Sequence, residues 1–374
     1  MDKQQTLVPA LAEGTVLYDI YQIVRVLGAG GFGITYMAWD MKHERHVVIK
    51  ECLPGDYAAR SEDGVTVLPR HESTRDMFEN CINNTMQEAQ TLAGFSHPGV
   101  VQIFDLFRAH GTVYYVMELI IGQTMFEIME NLKKSGGSFT QAQAEGLLVN
   151  MLDILEHLHD HGIYHCDIKP GNIFIMGNGM PKLIDFGAVR TKVLQHDGLV
   201  QVTPGYTPPE FYPGRFREIG PWCDLYGLGA TFYELLTGIT PEPGDKRSVV
   251  DRMVKIASVE GFRRKYSLPL LTSIDKALEP SLEKRFKSAK MWIEYMDAYE
   301  AGVQLVTTSD PKANERLKIA SSLNKRKKSP VVKIVILLIL IALVALAWFV
   351  HTGEIELPFE LPQEYSWLIQ TKQP

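Results

Sequence analysis

The stretch IYHCDIKPGNI, residues 163–173, decides how the rest of the chain is interpreted. It places His165, Asp167, Lys169 and Asn172 within eight positions, around a Pro-Gly turn. A metal site, a polar surface turn and a catalytic loop are the competing interpretations. Adjacent His and Cys side chains cannot easily occupy two vertices of one tetrahedral zinc site, and the sequence holds no second cluster of this kind. The pattern therefore disfavours zinc.

Phosphoryl transfer requires a proton acceptor, a cation and ligands for Mg²⁺, and this stretch offers all three. Asp167 would accept the proton of a substrate hydroxyl, Lys169 would steady the moving phosphoryl group, and Asn172 would hold Mg²⁺. The segment LIDFG, residues 183–187, follows closely and supplies Asp185 as a second magnesium ligand after an apolar strand. The spacing thus favours a catalytic loop.

A glycine-rich run, LGAGGFG at residues 27–33, lies near the other end of the domain. Taken alone it is a weak signal, because a hairpin turn would also explain it. A dinucleotide-binding fold requires a helix directly after the last glycine, but ITYMAW at 34–39 is strand-like. A loop over the phosphates of ATP instead requires a cation on a nearby strand, which Lys50 supplies. A buried lysine requires a partner carboxylate, and we predict Glu88 on the following helix.

In this order the motifs resemble those of the bacterial eukaryotic-type (Hanks-type) serine/threonine protein kinases, and in particular their membrane-anchored members, which read GFGITY in the glycine loop. The resemblance covers residues 18–300 and implies an α+β, bilobal fold. The small N-lobe, about 18–121, is an antiparallel sheet with one helix, and the larger C-lobe, about 122–300, is helical. It also implies ATP and Mg²⁺ as cofactors, with Mn²⁺ as an alternative ion.

The resemblance assigns a role to individual residues. Asp167 and Lys169 are catalytic, and Asn172 and Asp185 bind the metal. The hinge YVMEL, 115–119, would contact adenine, with Met117 at the back of the pocket. The residues assigned to ATP binding are Leu27, Gly28, Ala29, Gly30, Gly31, Phe32, Gly33, Thr35, Val48, Lys50, Glu88, Met117, Glu118 and Leu119.

Glu51 and Glu79 compete with Glu88 as the partner of Lys50. Glu88 is favoured because it stands in Gln-Glu-Ala ahead of His97-Pro98, as the family helix does. By the same resemblance Asp224 would brace the catalytic loop, and Arg285 would pair with Glu210. The resemblance assigns structural roles to Asp224, Arg285 and Glu210.

Cys166 departs from the family pattern, which has an arginine that commonly binds a phosphate on the activation segment. A cysteine cannot make that bidentate contact. The segment 192–202 correspondingly contains no Ser, Thr or Tyr, and Thr191 and Thr203 are the regulatory candidates beside Cys166. We therefore predict activity that does not depend on phosphorylation of this segment. An oxidisable Cys166 thiol is the alternative interpretation.

Residues 331–350, VVKIVILLILIALVALAWFV, are almost wholly apolar and long enough to span a bilayer. The preceding cluster at 325–328 is basic, whereas the charges of the tail at 351–374 are mainly acidic. The positive-inside rule then predicts a single-pass protein of the cell (inner) membrane, with a cytoplasmic kinase domain, a basic juxtamembrane linker at 301–330 and an outer tail. No signal peptide is apparent at the N-terminus.

Hydrophobic periodicity predicts the secondary structure. Three antiparallel strands are expected over residues 21–50, a helix over 76–94, and two strands over 100–107 and 112–119. Further helices are expected over 127–134, 141–161, 222–237, 249–259 and 292–303. Four scattered cysteines and a reducing compartment argue against disulfides.

The predicted function is transfer of the γ-phosphoryl group of MgATP to Ser or Thr hydroxyls of protein substrates. Lys169 and Thr203 favour Ser/Thr over Tyr by resemblance, which also implies a cognate phosphatase as a partner. The acidic balance of residues 1–300 argues against nucleic-acid binding. A membrane-anchored pseudokinase that acts as a nucleotide-binding scaffold is the rival function, and the oligomeric state stays open.

Overall fold

The computed structural model describes residues 10–31, 33–186, 190–191, 202–212 and 219–300, with only the backbone at 190, 191 and 300. Contacts divide the chain into two units, 1–303 and 304–374, and every described residue belongs to the first. The predicted linker, transmembrane helix and tail therefore lie outside the described residues. None of the described helices combines the length and the apolar character needed to cross a bilayer.

The N-lobe is built on a six-stranded antiparallel sheet in the order β1-β2-β3-β4-β8-β7. Burial alternates strictly along β3, so one face of the strand is buried and the other is half-buried. The three strands predicted over residues 21–50 are confirmed as β2, β3 and β4. The strands of the sheet are β1 (Val16–Leu17), β2 (Tyr21–Gly30), β3 (Gly33–Asp40), β4 (Arg45–Cys52), β7 (Ile103–Ala109) and β8 (Thr112–Glu118).

Between β4 and the single long helix of this lobe lies a hairpin that we did not predict, formed by β5 (Ala58–Arg60) and β6 (Val67–Pro69). The helix itself, α1 (Arg75–Ala93), agrees with the predicted segment 76–94. Its buried residues are Phe78, Ile82, Glu88, Ala89 and Leu92, and they form one inward face at helical spacing.

The C-lobe is helical and packs around the buried helices α3 and α4. Thr124, Thr140 and Ser267 cap helix N-termini with their hydroxyl groups. The helices are α2 (Met125–Ser135), α3 (Gln141–Asp160), α4 (Pro221–Thr237), α5 (Gly244–Arg247), α6 (Glu260–Arg263), α7 (Leu268–Ala277) and α8 (Ala289–Glu300). The short strands are β9 (Gly122–Thr124), β10 (Ile163–Tyr164), β11 (Ile173–Met176), β12 (Pro181–Leu183) and β13 (Arg190–Thr191).

The helix predicted over 249–259 is wrong. Asp251 accepts a hydrogen bond from the backbone N–H of Met253 at 3.2 Å, and Asp275 accepts from those of Ile256 and Ala257 at 2.9 and 3.0 Å. These carboxylates take the backbone donors that a helix would use. The segment therefore runs as a loop followed by one 3₁₀ turn at Ile256–Ser258.

With that correction the predicted α+β, bilobal architecture is confirmed. Gly122 begins β9, where the chain passes from the sheet into the helical lobe. The cleft lies between the face of the sheet that carries Lys50 and the loops after β10 and β12.

Candidate active site

Lys50 lies on β4 and its ammonium group reaches across the cleft to the C-lobe. Its Nζ donates to Oδ1 of Asp185 at 2.5 Å. Burial opposes the charge of Lys50, but the neighbouring Tyr115, Glu88 and Asp185 outweigh it and hold the pKa of Lys50 well above its ordinary value. The side chain is therefore a permanent cation in this site, as a ligand of phosphate oxygens requires.

Glu88 lies inside the same cluster but does not touch the lysine. Its Oε1 accepts from the hydroxyl of Tyr115 at 3.0 Å, and its carboxylate also accepts from the backbone N–H of Phe186. Burial raises the pKa of Glu88 to about 7, although Lys50 and these hydrogen bonds act in the opposite direction. Among the described residues no ion pair within 4.0 Å joins Lys50 to Glu88, so the predicted direct contact is replaced here by the contact with Asp185.

The other two candidate partners of Lys50 lie elsewhere. Glu51 follows Lys50 on β4, so its side chain points to the opposite face of the sheet. There it is fully buried and pairs with Arg60 of the hairpin at 2.5 Å. Glu79 is exposed on α1. Of the three, Glu88 is the one whose charge helps to raise the pKa of Lys50.

The glycine loop joins β2 to β3, with Gly28 opposite Thr35 and Gly30 opposite Gly33. A Cβ atom at Gly33 would lie 1.9 Å from the carbonyl oxygen of Glu51, so only glycine fits there. Leu27 to Gly31 are exposed, and Phe32 lies outside the described residues. The carbonyl of Gly31 accepts from the backbone N–H of Gly55, which ties the loop to the segment after Lys50.

The predicted adenine-binding residues lie on neighbouring strands. Val48 on β4 stands opposite Met117 on β8, and Thr35 on β3 stands opposite Lys50. Leu119 directly follows the end of β8 and is half-buried. The carboxylate of Glu118 is occupied by Lys182 at 2.6 Å and by the backbone N–H of Gln102 at 2.8 Å. The side chain of Glu118 is therefore structural. Its backbone carbonyl is the group that could bind a ligand.

Asp167 stands at the centre of a small hydrogen-bonded group in the loop after β10. Lys169 Nζ donates to its Oδ2 at 2.6 Å, and Asn172 Nδ2 donates to the same oxygen at 2.9 Å. The hydroxyl of Thr203 donates to Oδ1 at 2.8 Å. A hydroxyl thus already occupies the position in which a carboxylate base would receive a proton.

Asp224 on α4 holds this loop from beneath. Its carboxylate accepts from the backbone N–H groups of His165 at 3.0 Å and Cys166 at 2.7 Å, and from Nε2 of His159 at 2.8 Å. Burial opposes its charge, but these donors hold its pKa below the ordinary value. Cys166 is half-buried and adopts a left-handed backbone conformation with φ 61°. The hydrogen bond from the backbone N–H of Cys166 to Asp224 compensates for that unfavourable conformation.

Asn172 and Asp185 can provide oxygen ligands for a divalent cation. The amide nitrogen of Asn172 is bound to Asp167, so its amide oxygen is the atom left for a cation. The backbone N–H of Ile184 donates to the carbonyl of Asn172 at 3.0 Å, which keeps the two segments together. No cluster of three or more His, Cys, Asp or Glu side chains suited to a metal occurs among the described residues. An oxygen pair of this kind fits Mg²⁺ or Mn²⁺ that takes its other ligands from phosphates and water.

The activation segment is described in part. Thr207 is buried and its Oγ1 accepts from the backbone N–H of Thr203 at 2.8 Å, and the hydroxyl of Tyr206 donates to Glu234. Arg285 pairs with Glu210 through two bonds of 2.8 and 2.7 Å, as expected for that pair. Residues 192–201 and the side chain of Thr191 lie outside the described residues.

Sequence reasoning missed three contacts of this site. Tyr115 was placed in the hinge by resemblance, but its hydroxyl binds Glu88. His159 was not singled out, although it donates to Asp224, and neither was the pair of Lys182 with Glu118. Of these contacts, only that of Tyr115 could have been inferred from the sequence. The two-residue period of β8 places Tyr115 on the face of the strand that borders the cleft.

Comparison with known proteins supports this geometry. The family model described as Protein kinase domain matches residues 21–293. The chain is 32% identical over 241 residues to the DNA damage-responsive serine/threonine-protein kinase RqkA of Deinococcus radiodurans, which covers 63% of this chain and 32% of that one. It is 28% identical over 317 residues to the serine/threonine-protein kinase PrkC of Bacillus subtilis, covering 84% and 44%. The chain thus spans less than half the length of these relatives.

Solved structures agree. A structure described as PpkA-294 apo form superposes with a TM-score of 0.68 at 30% identity and covers 77% of this chain and 99% of that one. The Mycobacterium tuberculosis PknI kinase domain, as a double mutant, superposes with a TM-score of 0.57 at 20% identity and covers 78% of this chain and 100% of that one. This second likeness concerns the fold.

Proposed function

The chain belongs to the protein kinase family, and from that premise we propose that it is a serine/threonine protein kinase that transfers the γ-phosphoryl group of MgATP to protein substrates. The observation that carries the proposal is the arrangement around Asp167. A hydroxyl group, that of Thr203, rests on the carboxylate at 2.8 Å, and a lysine ammonium lies 2.6 Å from the same carboxylate. A substrate hydroxyl in an equivalent position would meet both a base and a cation.

In the proposed reaction the oxygen of a Ser or Thr hydroxyl attacks the γ-phosphorus. The bond from that phosphorus to the β,γ-bridging oxygen breaks, ADP leaves, and the hydroxyl proton passes to Asp167. Lys169 balances charge on the transferred group, and Lys50 binds the α- and β-phosphates. Bound Mg²⁺ would neutralise charge on the phosphates, and Asn172 and Asp185 would hold it.

The test is transfer of radiolabelled phosphate from ATP by the full chain, alone and with a general protein substrate. Asp167→Asn removes the base and should lower the rate at least a hundredfold, since a positioned base contributes about 10² to 10⁴. Asp160→Asn, an exposed change at the end of α3, is the matched control. Transfer by Asp167→Asn at the wild-type rate would refute the assignment. A wild-type chain that binds MgATP but transfers nothing would favour the scaffold.

We propose further that activity does not depend on phosphorylation of the activation segment. Thr207 is buried and bonded to Thr203, and Thr203 is half-buried and bonded to Asp167, so both hydroxyl groups are already engaged in hydrogen bonds. Thr191→Ala should therefore retain activity. Loss of activity that a phosphomimetic residue restores would contradict this.

The membrane location is a proposal from hydropathy. The apolar run at 331–350 would anchor the chain in the cell (inner) membrane, with residues 1–330 on the cytoplasmic side and 351–374 outside. Carbonate washing of membranes should leave the full chain in the pellet. A cysteine introduced at Thr371 should react with an impermeant maleimide in intact cells, whereas release by carbonate would exclude the anchor.

A further inference from the structure

Tyr115 lies in the nucleotide site through its hydroxyl group. It stands on β8 directly opposite Lys50 on β4, so both side chains occupy the same face of the sheet. Its ring centre lies 5.8 Å from Lys50 Nζ, and its hydroxyl donates to Glu88 at 3.0 Å. The residue is 2% exposed, and burial raises its pKa well above the ordinary value. The hydroxyl is therefore a permanent donor that water does not displace.

One buried carboxylate, that of Glu88, and one exposed carboxylate, that of Asp185, lie around Lys50 in this cluster. Lys50 is bound to Asp185, while Glu88 is satisfied by Tyr115 and by the backbone N–H of Phe186. A buried carboxylate without donors would be costly. The hydroxyl of Tyr115 thus supplies Glu88 with a side-chain donor while Lys50 is bound to Asp185.

We infer that Tyr115 is a positioning residue for phosphoryl transfer. Its hydroxyl binds Glu88 while Lys50 is bound to Asp185. When Lys50 leaves Asp185, Lys50 takes the place of the Tyr115 hydroxyl as the partner of Glu88. The inference rests on the proposed function, because it assigns Asp185 to the metal and Lys50 to phosphate. The oxygen of Asp185 that binds Lys50 is then unavailable to a cation. Once Lys50 has left Asp185, Glu88 is the remaining carboxylate of the cluster. Lys50 can bind it when Glu88 gives up its hydrogen bond from Tyr115.

Deleting the hydroxyl should favour the exchanged state. In Tyr115→Phe, Glu88 lacks its side-chain donor, so pairing with Lys50 becomes more favourable and Asp185 is released. We expect MgATP to bind about fivefold more tightly, which corresponds to the net strength of one ordinary hydrogen bond. A merely structural tyrosine would give the opposite result, with weaker binding and a lower melting temperature.

The neighbouring tyrosine offers a matched control. Tyr114 is buried on the opposite face of β8, where its hydroxyl donates to Glu51 at 2.7 Å. Tyr114→Phe removes the same group from the same strand beside a different glutamate. It should lower the melting temperature and leave the dissociation constant of MgATP within about twofold of wild type, because it touches no group of the cleft.

The binding experiment is isothermal titration calorimetry of the full chain in detergent with MgATP. Tighter binding by Tyr115→Phe but not by Tyr114→Phe is the expected result. Unchanged or weaker binding by Tyr115→Phe would overturn the inference. A wild-type chain that binds MgATP but transfers no phosphate would refute the proposed function and leave the role of Tyr115 to be judged from the dissociation constants. Absence of MgATP binding by wild type would overturn both.

A thermal double-mutant cycle without nucleotide tests the exchange directly. In the wild-type background Lys50 can compensate for the lost hydroxyl, whereas in the Lys50→Met background no side-chain donor replaces it and Glu88 keeps only the backbone N–H of Phe186. Tyr115→Phe should therefore lower the melting temperature more in the Lys50→Met background than in wild type. Equal decreases in the two backgrounds would show that the two side chains are independent, and would overturn the inference.

Discussion

Arg60 is the residue of the N-lobe whose loss we expect to be most destabilising outside the cleft. Its guanidinium donates to Oε2 of Glu51 at 2.5 Å and to the carbonyl of Val65 at 2.8 Å. Both charged side chains are sealed, with 1% and 0% of their surface exposed. Arg60→Met keeps a long apolar side chain and removes the charge, so Glu51 becomes a buried carboxylate without its cation.

The magnitude follows from what remains around Glu51. Breaking a buried ion pair on one side costs about 3 to 5 kcal/mol, because the other charge stays buried. Tyr36 and Tyr114 still donate to Glu51 at 2.7 Å each, which places this site at the lower end, about 3 kcal/mol. For a domain of this size the melting temperature should fall by about 5 °C.

The assay is thermal unfolding of the full chain in detergent, followed by circular dichroism. Arg75→Met is the matched control, because Arg75 forms a bidentate pair with Glu72 on the surface of α1. Water screens that pair, so its loss should shift the melting temperature hardly at all. In Glu51→Gln/Arg60→Met the neutral amide no longer requires a cation, and part of the loss should be recovered.

Equal shifts for Arg60→Met and Arg75→Met would refute the reasoning, because the argument depends on burial and not on the presence of an ion pair. A double variant less stable than Arg60→Met alone would also contradict it, since it would show that the charge of Glu51 is not the source of the cost.

Three further changes test the site. Asp224→Asn should lower kcat about ten- to hundredfold with little change in KM for ATP, because the loop after β10 loses a charged acceptor that binds two backbone donors; an equal rise in KM would argue against a loop-specific effect. Thr203→Val should lower kcat, whereas Thr203→Ser should keep it near the wild-type value, because serine retains the hydroxyl that binds Asp167. Equal phosphate-transfer rates for the two variants would contradict this role. Because burial raises the pKa of Glu88 from 4.5 to about 7, the folded chain keeps a proton that the unfolded chain releases. The melting temperature of wild type relative to Glu88→Gln should thus fall between about pH 5 and 7 and level off above it, and a flat difference would show that Glu88 is ionised throughout.

The catalytic loop was accessible from the sequence because its chemistry is local. Asp167, Lys169 and Asn172 lie within six residues, and their structure brings them together through short-range hydrogen bonds. The metal pair needed only one more segment, since β11 and β12 return the chain at once to Asp185. Spacing is sufficient evidence where the contacts are this close in sequence.

Contacts between distant segments could not be predicted in the same way. His159 reaches Asp224 across 65 positions, and Tyr115 reaches Glu88 across 27. Which carboxylate binds Lys50 depends on how these distant groups satisfy one another. The predicted helix at 249–259 was wrong for the same reason: Asp275, on another helix, takes its backbone donors.

Two adjacent tyrosines on β8 have different roles in the N-lobe, one in stability and the other in function. Tyr114 and Tyr115 point to opposite faces of the sheet, and each donates to a buried glutamate. Glu51 also has Arg60 as a fixed cation, so its face has no reason to rearrange. Glu88 shares Lys50 with Asp185 and is bound by no cation within 4.0 Å among the described residues. The contact of Tyr114 with Glu51 therefore stabilises one face of the strand. On the other face, Tyr115 binds Glu88, a carboxylate whose partner must change before phosphate can be transferred.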